Sequence, residues 1–154
     1  MRRQVTSLDL DRSAIGSATC AMLDVWASVM GAGCVLFVED DADLRRLFAR
    51  LVGAFLGRPC VSVGSFEELV ALGHEALSCG AAILDINLGP NRASGIDAYA
   101  WLRQQGYTGR IAFLTGHASS HPLVVKALRL GDAEVFSKPI DLDRMRLLVD
   151  GEAV

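Results

Sequence analysis

The chain has little of what would mark a metal finger, a secreted scaffold or a membrane protein. Its four cysteines (Cys20, Cys34, Cys60, Cys79) are widely spaced and form no C-x-x-C pair, which excludes a zinc site of paired thiolates. They read as small, reduced core residues of a cytosolic protein rather than a disulfide frame. The histidines, His74, His117 and His121, make no ligand set. Apolar runs are short, far below the roughly 20 residues of a membrane span. Asp9, Asp11 and Arg12 break up any apolar region behind Met1-Arg2-Arg3, so no signal peptide is read there. Gly31-Ala32-Gly33-Cys34 lacks the apolar lead of a lipoprotein cleavage box. There is no excess of positive charge: the net charge is −3, which argues against nucleic acid or an anionic membrane as the main partner.

What is present is apolar residue in quantity. At 154 residues, 51% hydrophobic and only 21% charged, the chain has enough apolar content for one well-packed domain. Ala81-Ala82-Ile83-Leu84-Asp85-Ile86-Asn87-Leu88 is a short apolar run interrupted by one carboxylate and followed by Gly89, Pro90, Asn91, Ser94 and Gly95. That pattern predicts a buried central strand of a parallel sheet, with Asp85 at the carboxyl end where ligands gather. Val35-Leu36-Phe37-Val38 repeats it and delivers Glu39, Asp40 and Asp41. Three or four carboxylates brought together repel one another unless a cation joins them, and oxygen ligands suit a hard cation such as Mg²⁺.

Residues 1–33 differ in texture, being rich in Ser, Ala and Thr. Ile15, Met22, Trp26 and Val29 can share one helical face, so a disordered or loosely helical extension is expected, with a dimerisation helix or a true start at Met30 as alternatives. From Cys34 the order is regular. Strand 34–38 precedes a helix over Ala42–Leu56, with Leu44, Leu47, Phe48, Leu51 and Phe55 as its apolar stripe and Gly57 and Pro59 as its stop. Cys60–Val63 is a second strand, and the Ser65/Glu68 spacing predicts a capping box opening a helix that ends at Gly80. The third strand is followed by a helix from Gly95 to Gln105. Ile111–Leu114, tipped by Thr115-Gly116-His117, precedes a helix with Pro122 in its first turn. Glu134–Ser137 and Lys138-Pro139 lead to a last helix from Asp141 to Val149. Five strands alternating with five helices predict a doubly wound α/β domain of flavodoxin-like order 2-1-3-4-5 over 34–150, with a tail at 151–154.

That order sets Glu39 and Asp40, Asp85, Thr115 and Lys138 side by side at strand tips. A lysine and a hydroxyl converging on an aspartate suit a transferring phosphoryl group, with the aspartate as nucleophile. Taken singly, each residue has a plainer reading: acidic loop residues cap helices, Thr115 caps a strand end, and Lys138 is a surface charge. Their joint placement favours the site.

Val38-Glu39-Asp40-Asp41, Leu84-Asp85-Ile86-Asn87-Leu88, Leu114-Thr115-Gly116-His117 and Ser137-Lys138-Pro139 together resemble the signature of the CheY-like receiver domain of bacterial two-component response regulators. The resemblance implies that Asp85 is the phosphoacceptor and that the donor is a phosphohistidine on a sensor histidine kinase or histidine phosphotransfer protein. It implies Mg²⁺ held by Glu39, Asp40, Asp85 and the Asn87 carbonyl. Thr115 would bind a phosphoryl oxygen, Lys138 would pair with the phosphoryl group, and Lys138-Pro139 would correspond to a bond often cis. The chain would be no enzyme beyond its own phosphorylation and dephosphorylation, and would be cytoplasmic.

Few residues follow the last helix, so a stand-alone receiver without an output domain and without direct DNA binding is expected. A downstream protein, or a second copy in a homodimer, would be met through the face of the fourth helix, fifth strand and fifth helix, where Lys126, Arg129, Arg144 and Arg146 lie. The chain departs from the family in a longer Asp85–Gly95 loop, a longer approach to the fourth helix, and Val135 where an aromatic is usual, with Phe136 next to it. Alternatives are a pseudo-receiver that is never phosphorylated and a haloacid-dehalogenase-type phosphatase. The latter needs D-x-D-x-[TV] after its first strand, which Glu39-Asp40-Asp41 does not supply. A dinucleotide enzyme needs a glycine-rich turn there.

Overall fold

The computed structural model describes residues 33–151. The expected extension and tail lie outside them, apart from the residues at their borders.

Five parallel strands, β1 (Val35–Val38), β2 (Cys60–Val63), β3 (Ala81–Asp85), β4 (Arg110–Thr115) and β5 (Ala133–Ser137), form one sheet in the order β2-β1-β3-β4-β5. The flavodoxin-like order is therefore as expected. Residues alternate between the sheet's two faces along each strand. Leu36, Val38, Leu84 and Phe113 pack toward α2 (Phe66–Leu72), α3 (His74–Leu77), α4 (Gly95–Gln104) and α5 (Pro122–Leu128). Phe37, Ile83, Leu114 and Phe136 pack on the other face, toward α1 (Ala42–Leu51) and α6 (Leu142–Asp150). Fully burying one such side chain contributes about 1.5–3 kcal/mol, which is why the sheet tolerates no register slip.

Among the described residues there are six α-helices rather than the expected five. The second expected helix is divided at Gly73, whose φ of 53° is left-handed and ends α2 before α3 begins. The first expected helix keeps its span, but Val52–Leu56 continues α1 as a π-helical turn, stopped by left-handed Gly57. The capping box at Ser65 is half formed. Ser65 Oγ accepts from the Glu68 amide, whereas the Glu68 carboxylate reaches one residue further back to the Gly64 amide at 2.7 Å. A full box forms instead at Ser94 and Asp97, opening α4.

Two expectations about the core need correction. In the α1 stripe only Phe48 is buried; Leu44, Leu47 and Phe55 are 40%, 54% and 51% exposed. The stripe is wider than the sheet surface beneath it, and its outer edge borders a groove of about 300 Å³ against Pro139 and Ile140. Second, Cys34 and Cys79 are buried as expected but are joined by a disulfide. Cys34 precedes β1 and Cys79 precedes β3; these strands are neighbours in register (Val35 beside Ala81), so the two Cα atoms come within 4.8 Å across 45 residues of sequence. Among the described residues Cys60 is the free thiol, and burial pushes its pKa up to about 11.

Candidate functional site at the strand tips

Each site residue stands where an apolar strand runs out at the carboxyl edge of the sheet. Glu39 follows β1, Asp85 ends β3, Thr115 ends β4 and Lys138 follows β5. Glu39, Asp85 and Thr115 are the buried polar residues of the described chain, while Asp40 beside them is exposed. The structure thus brings together every residue expected at the site. They line a cavity of about 460 Å³ that includes Glu39, Asp40, Asp85, Asn87, His117 and Lys138. Thr115 is not among its lining residues and joins the group through the backbone, its carbonyl accepting the Lys138 amide at 2.8 Å.

Lys138 ties the two strands. Its Nζ donates to Glu39 Oε2 at 2.7 Å and to Asp85 Oδ2 at 3.0 Å. The Lys138-Pro139 bond is cis, as the resemblance implied. Burial pushes the Glu39 carboxyl up to about 7; the Lys138 bond opposes the rise and the neighbouring Asp85 charge adds to it. For Lys138, burial would lower the pKa, but its bonds and attraction to Glu39 and Asp85 together hold it above the ordinary lysine value. One ammonium therefore does not fully compensate the acids.

Asp85 is also fixed from below. Its Oδ1 accepts the Asn87 amide at 3.2 Å, and the chain then turns sharply to Gly95. A Cβ at Gly95 would lie 2.2 Å from the Asp85 carbonyl oxygen, so only glycine lets α4 begin this close to the strand. Asn87 turns its side chain away from the acids: its Oδ1 accepts from the Gly89 amide, and its Nδ2 lies 3.4 Å from His117 Nε2. On the opposite side Thr115 Oγ1 accepts the His117 amide at 2.9 Å, and the His117 and His121 rings stack at 4.2 Å.

Carboxylate oxygens of Glu39, Asp40 and Asp85 lie within 4.8 Å of one another. A set of hard oxygen donors with uncompensated charge fits a Mg²⁺-sized cation, which accepts few carboxylates and keeps water on its remaining positions. His117 belongs to the mouth but adds no second nitrogen or thiolate that would favour a softer metal.

Residues that the motifs did not single out also border the site. Arg45 Nη1 donates to the carbonyls of Glu39 and Asp40. Arg92, in the long loop after β3, folds over Gly89 toward Asp40. The signal for Arg45 was its position one helical turn beyond Asp41; nothing in the sequence marked Arg92.

A buried aspartate flanked by two further acids, a lysine and a hydroxyl at the switch point of a parallel α/β sheet is the arrangement expected of a receiver domain. Residues 35–150 match the family model of the response regulator receiver domain, and the chain belongs to that family. A curated NtrX-like response regulator of Rickettsia bellii is 25% identical over 115 residues, 75% of this chain; those residues are 23% of that protein, so the chain spans about a quarter of its length. Among solved structures, the signal receiver domain of a LuxO repressor protein from Vibrio parahaemolyticus is 27% identical, with a TM-score of 0.63 over 77% of this chain and 87% of that one. The receiver domain of NtrX from Brucella abortus, 24% identical over 76% of this chain and 95% of that one, has a TM-score of 0.63 and shares the fold.

Proposed function

We propose that Asp85 accepts a phosphoryl group from a phosphohistidine on a sensor kinase or phosphotransfer protein, and that the phosphorylated chain signals by binding a protein partner. The observation that carries this reading is the Lys138 ammonium bridging Glu39 and Asp85 inside a three-acid cluster. In the transfer, an Asp85 carboxylate oxygen attacks phosphorus, a P–O bond forms, and the P–N bond breaks with its electron pair leaving on the imidazole. Glu39, Asp40, Asp85 and the Asn87 carbonyl would hold Mg²⁺, which when bound supplies positive charge at the phosphoryl oxygens. Lys138 turns from its carboxylate partners toward the new phosphoryl charge. Thr115 releases the His117 amide and donates its hydroxyl to a phosphoryl oxygen.

The exposed Leu44 and Leu47 beside the acid mouth offer an incoming donor an apolar anchor next to Asp85. The face of α5, β5 and α6, with exposed Lys126, Leu128 and Arg129, is the output surface, for a downstream protein or a second copy. The chain turns over no substrate other than its own aspartyl phosphate and does not itself contact DNA. A cytoplasmic placement follows from the donor chemistry, and no described helix is long and apolar enough to cross a membrane. The Cys34–Cys79 bond runs against that placement, because disulfides are rare in a reducing compartment.

The test is phosphotransfer from purified phosphorylated histidine kinases to the full chain. Wild type should acquire an acid-labile label, and Asp85→Asn should acquire none while its far-ultraviolet circular dichroism is unchanged. A label that persists in Asp85→Asn removes the assignment.

A further inference from the structure

We propose that Arg45 and Gly64 form a positioning pair for the cation site, in which the Arg45 guanidinium, seated over Gly64, fastens the backbone of the turn that presents Glu39 and Asp40. The inference rests on the receiver reading above and extends it to two residues outside the acid, hydroxyl and lysine set.

Arg45 makes no ion pair among the described residues, although acids surround it. Its Nη1 donates instead to the Glu39 carbonyl at 2.6 Å and the Asp40 carbonyl at 3.0 Å. One permanently charged group thus holds two successive peptide units from a single nitrogen, while the rest of its plane lies against Gly64. Mg²⁺ demands near-ideal octahedral geometry, so small errors in the turn are felt directly in affinity. The guanidinium also sets a positive charge beneath acids that repel one another.

Gly64 supplies the seat. A Cβ at this position would stand 2.8 Å from Arg45 Nη1, 3.2 Å from Cζ and 3.4 Å from Nη2, so the guanidinium lies against the glycine itself. The backbone of Gly64 is not left-handed, so the local chain does not require glycine there. Nor can that backbone easily yield. The Gly64 amide is bound by Glu68 Oε2 at 2.7 Å, and the preceding carbonyl, of Val63, accepts the Glu39 amide at 3.1 Å. An added methyl would therefore displace Arg45, and the end of an outer strand would be coupled to the cation site through one side chain.

The experiment measures Mg²⁺ affinity of the full chain by calorimetry, with Mg²⁺-free thermal melts and acetyl phosphate labelling of Asp85 alongside. Arg45→Met should weaken Mg²⁺ binding about tenfold, the low end for residues that orient metal ligands. Arg45→Lys, which keeps the charge and one donor nitrogen but loses the plane seated against Gly64, should fall between Arg45→Met and wild type. Gly64→Ala should weaken binding comparably, and the double variant Arg45→Met/Gly64→Ala should be no weaker than the worse single variant. If Arg45→Met does not fold, Gly64→Ala and Arg45→Lys decide the matter. Wild-type affinity in both single variants, or losses that multiply in the double variant, would overturn the pairing. A wild type that binds no Mg²⁺ and takes no label would instead overturn the receiver reading, and the inference with it.

Discussion

The turn between β1 and α1 and the loop between β4 and α5 face each other across Asp85, yet they are secured very differently. The first is held at every residue. Glu39 accepts from Lys138 and its amide donates to Val63, Arg45 grips two carbonyls, and Asp41 Oδ1 accepts the amides of Asp43 and Leu44 to cap α1. The second is exposed from Gly116 to Ser120 and is tied by the Thr115 hydroxyl, one turn bond from His121 to Ala118, and contacts of the His117 ring. The acid side is thus preformed, as the proposed cation binding would require. The hydroxyl side keeps few bonds to break, as the proposed rearrangement on phosphorylation would require.

Removing a carboxylate from the preformed side is the strongest way to break this contrast. Saturating Mg²⁺, at about a hundredfold over its Kd, should stabilise wild type by about 2.7 kcal/mol, and Asp40→Ala should lose that gain entirely. The same variant without Mg²⁺ should melt no lower than wild type, since it relieves repulsion among acids within 4.8 Å of one another. Melting curves with and without Mg²⁺ check both statements; a wild type indifferent to Mg²⁺ would mean the acid cluster is not a cation site.

A second effect should come from pH. Glu39 is raised from 4.5 to about 7 in the folded chain, first by burial, so the Mg²⁺-free fold binds this proton more tightly than the unfolded chain does. Its contribution to stability is therefore fully present below the ordinary glutamate value and is lost as pH rises through about 7. Mg²⁺ affinity should run the opposite way, rising about tenfold per pH unit until Glu39 is ionised, because a proton must leave for the metal to bind. Glu39→Gln should flatten the first dependence. Calorimetric titrations and melts across this range measure both.

The smallest expected signal sharpens the contrast at its sparsely bonded side. Val135 packs, half-buried, toward the α5 face, opposite Phe113, whereas Phe136 is buried toward α6 with the Arg144 guanidinium 5.6 Å above its ring. A β-branched valine has few rotamers to exchange, and Phe136 faces the wrong way to replace an aromatic at 135. With beryllofluoride and Mg²⁺, amide shifts should therefore be largest over residues 115–121 and the start of α5, and small at Val135. A rotamer change at Val135 with that loop unmoved would refute this route.

Sequence alone determined the strand-tip site and the order of the sheet. Each signal was local: an apolar run of strand length, a polar residue at its carboxyl end, and a turn behind it. Alternation of strand and helix with short connections then allowed few topologies, and the observed β2-β1-β3-β4-β5 order is one of the two common doubly wound orders. Helix boundaries were legible where glycine or a capping side chain marked them, as at Gly57 and Asp141.

Tertiary structure decided whatever depends on how far apart in space two distant residues lie. Leu44 and Leu47 satisfy a helical stripe, but a period reports which residues share a face and not how much sheet lies beneath it. Cys34 and Cys79 carry no pairing motif and meet only because β1 and β3 are neighbours. The seat of Arg45 over Gly64 likewise needs β2 beside β1, and the Glu68 carboxylate bypasses its capping-box partner for the Gly64 amide. Period, cap and turn are properties of a few adjacent residues. Contact between side chains remote in sequence is set by the packed sheet.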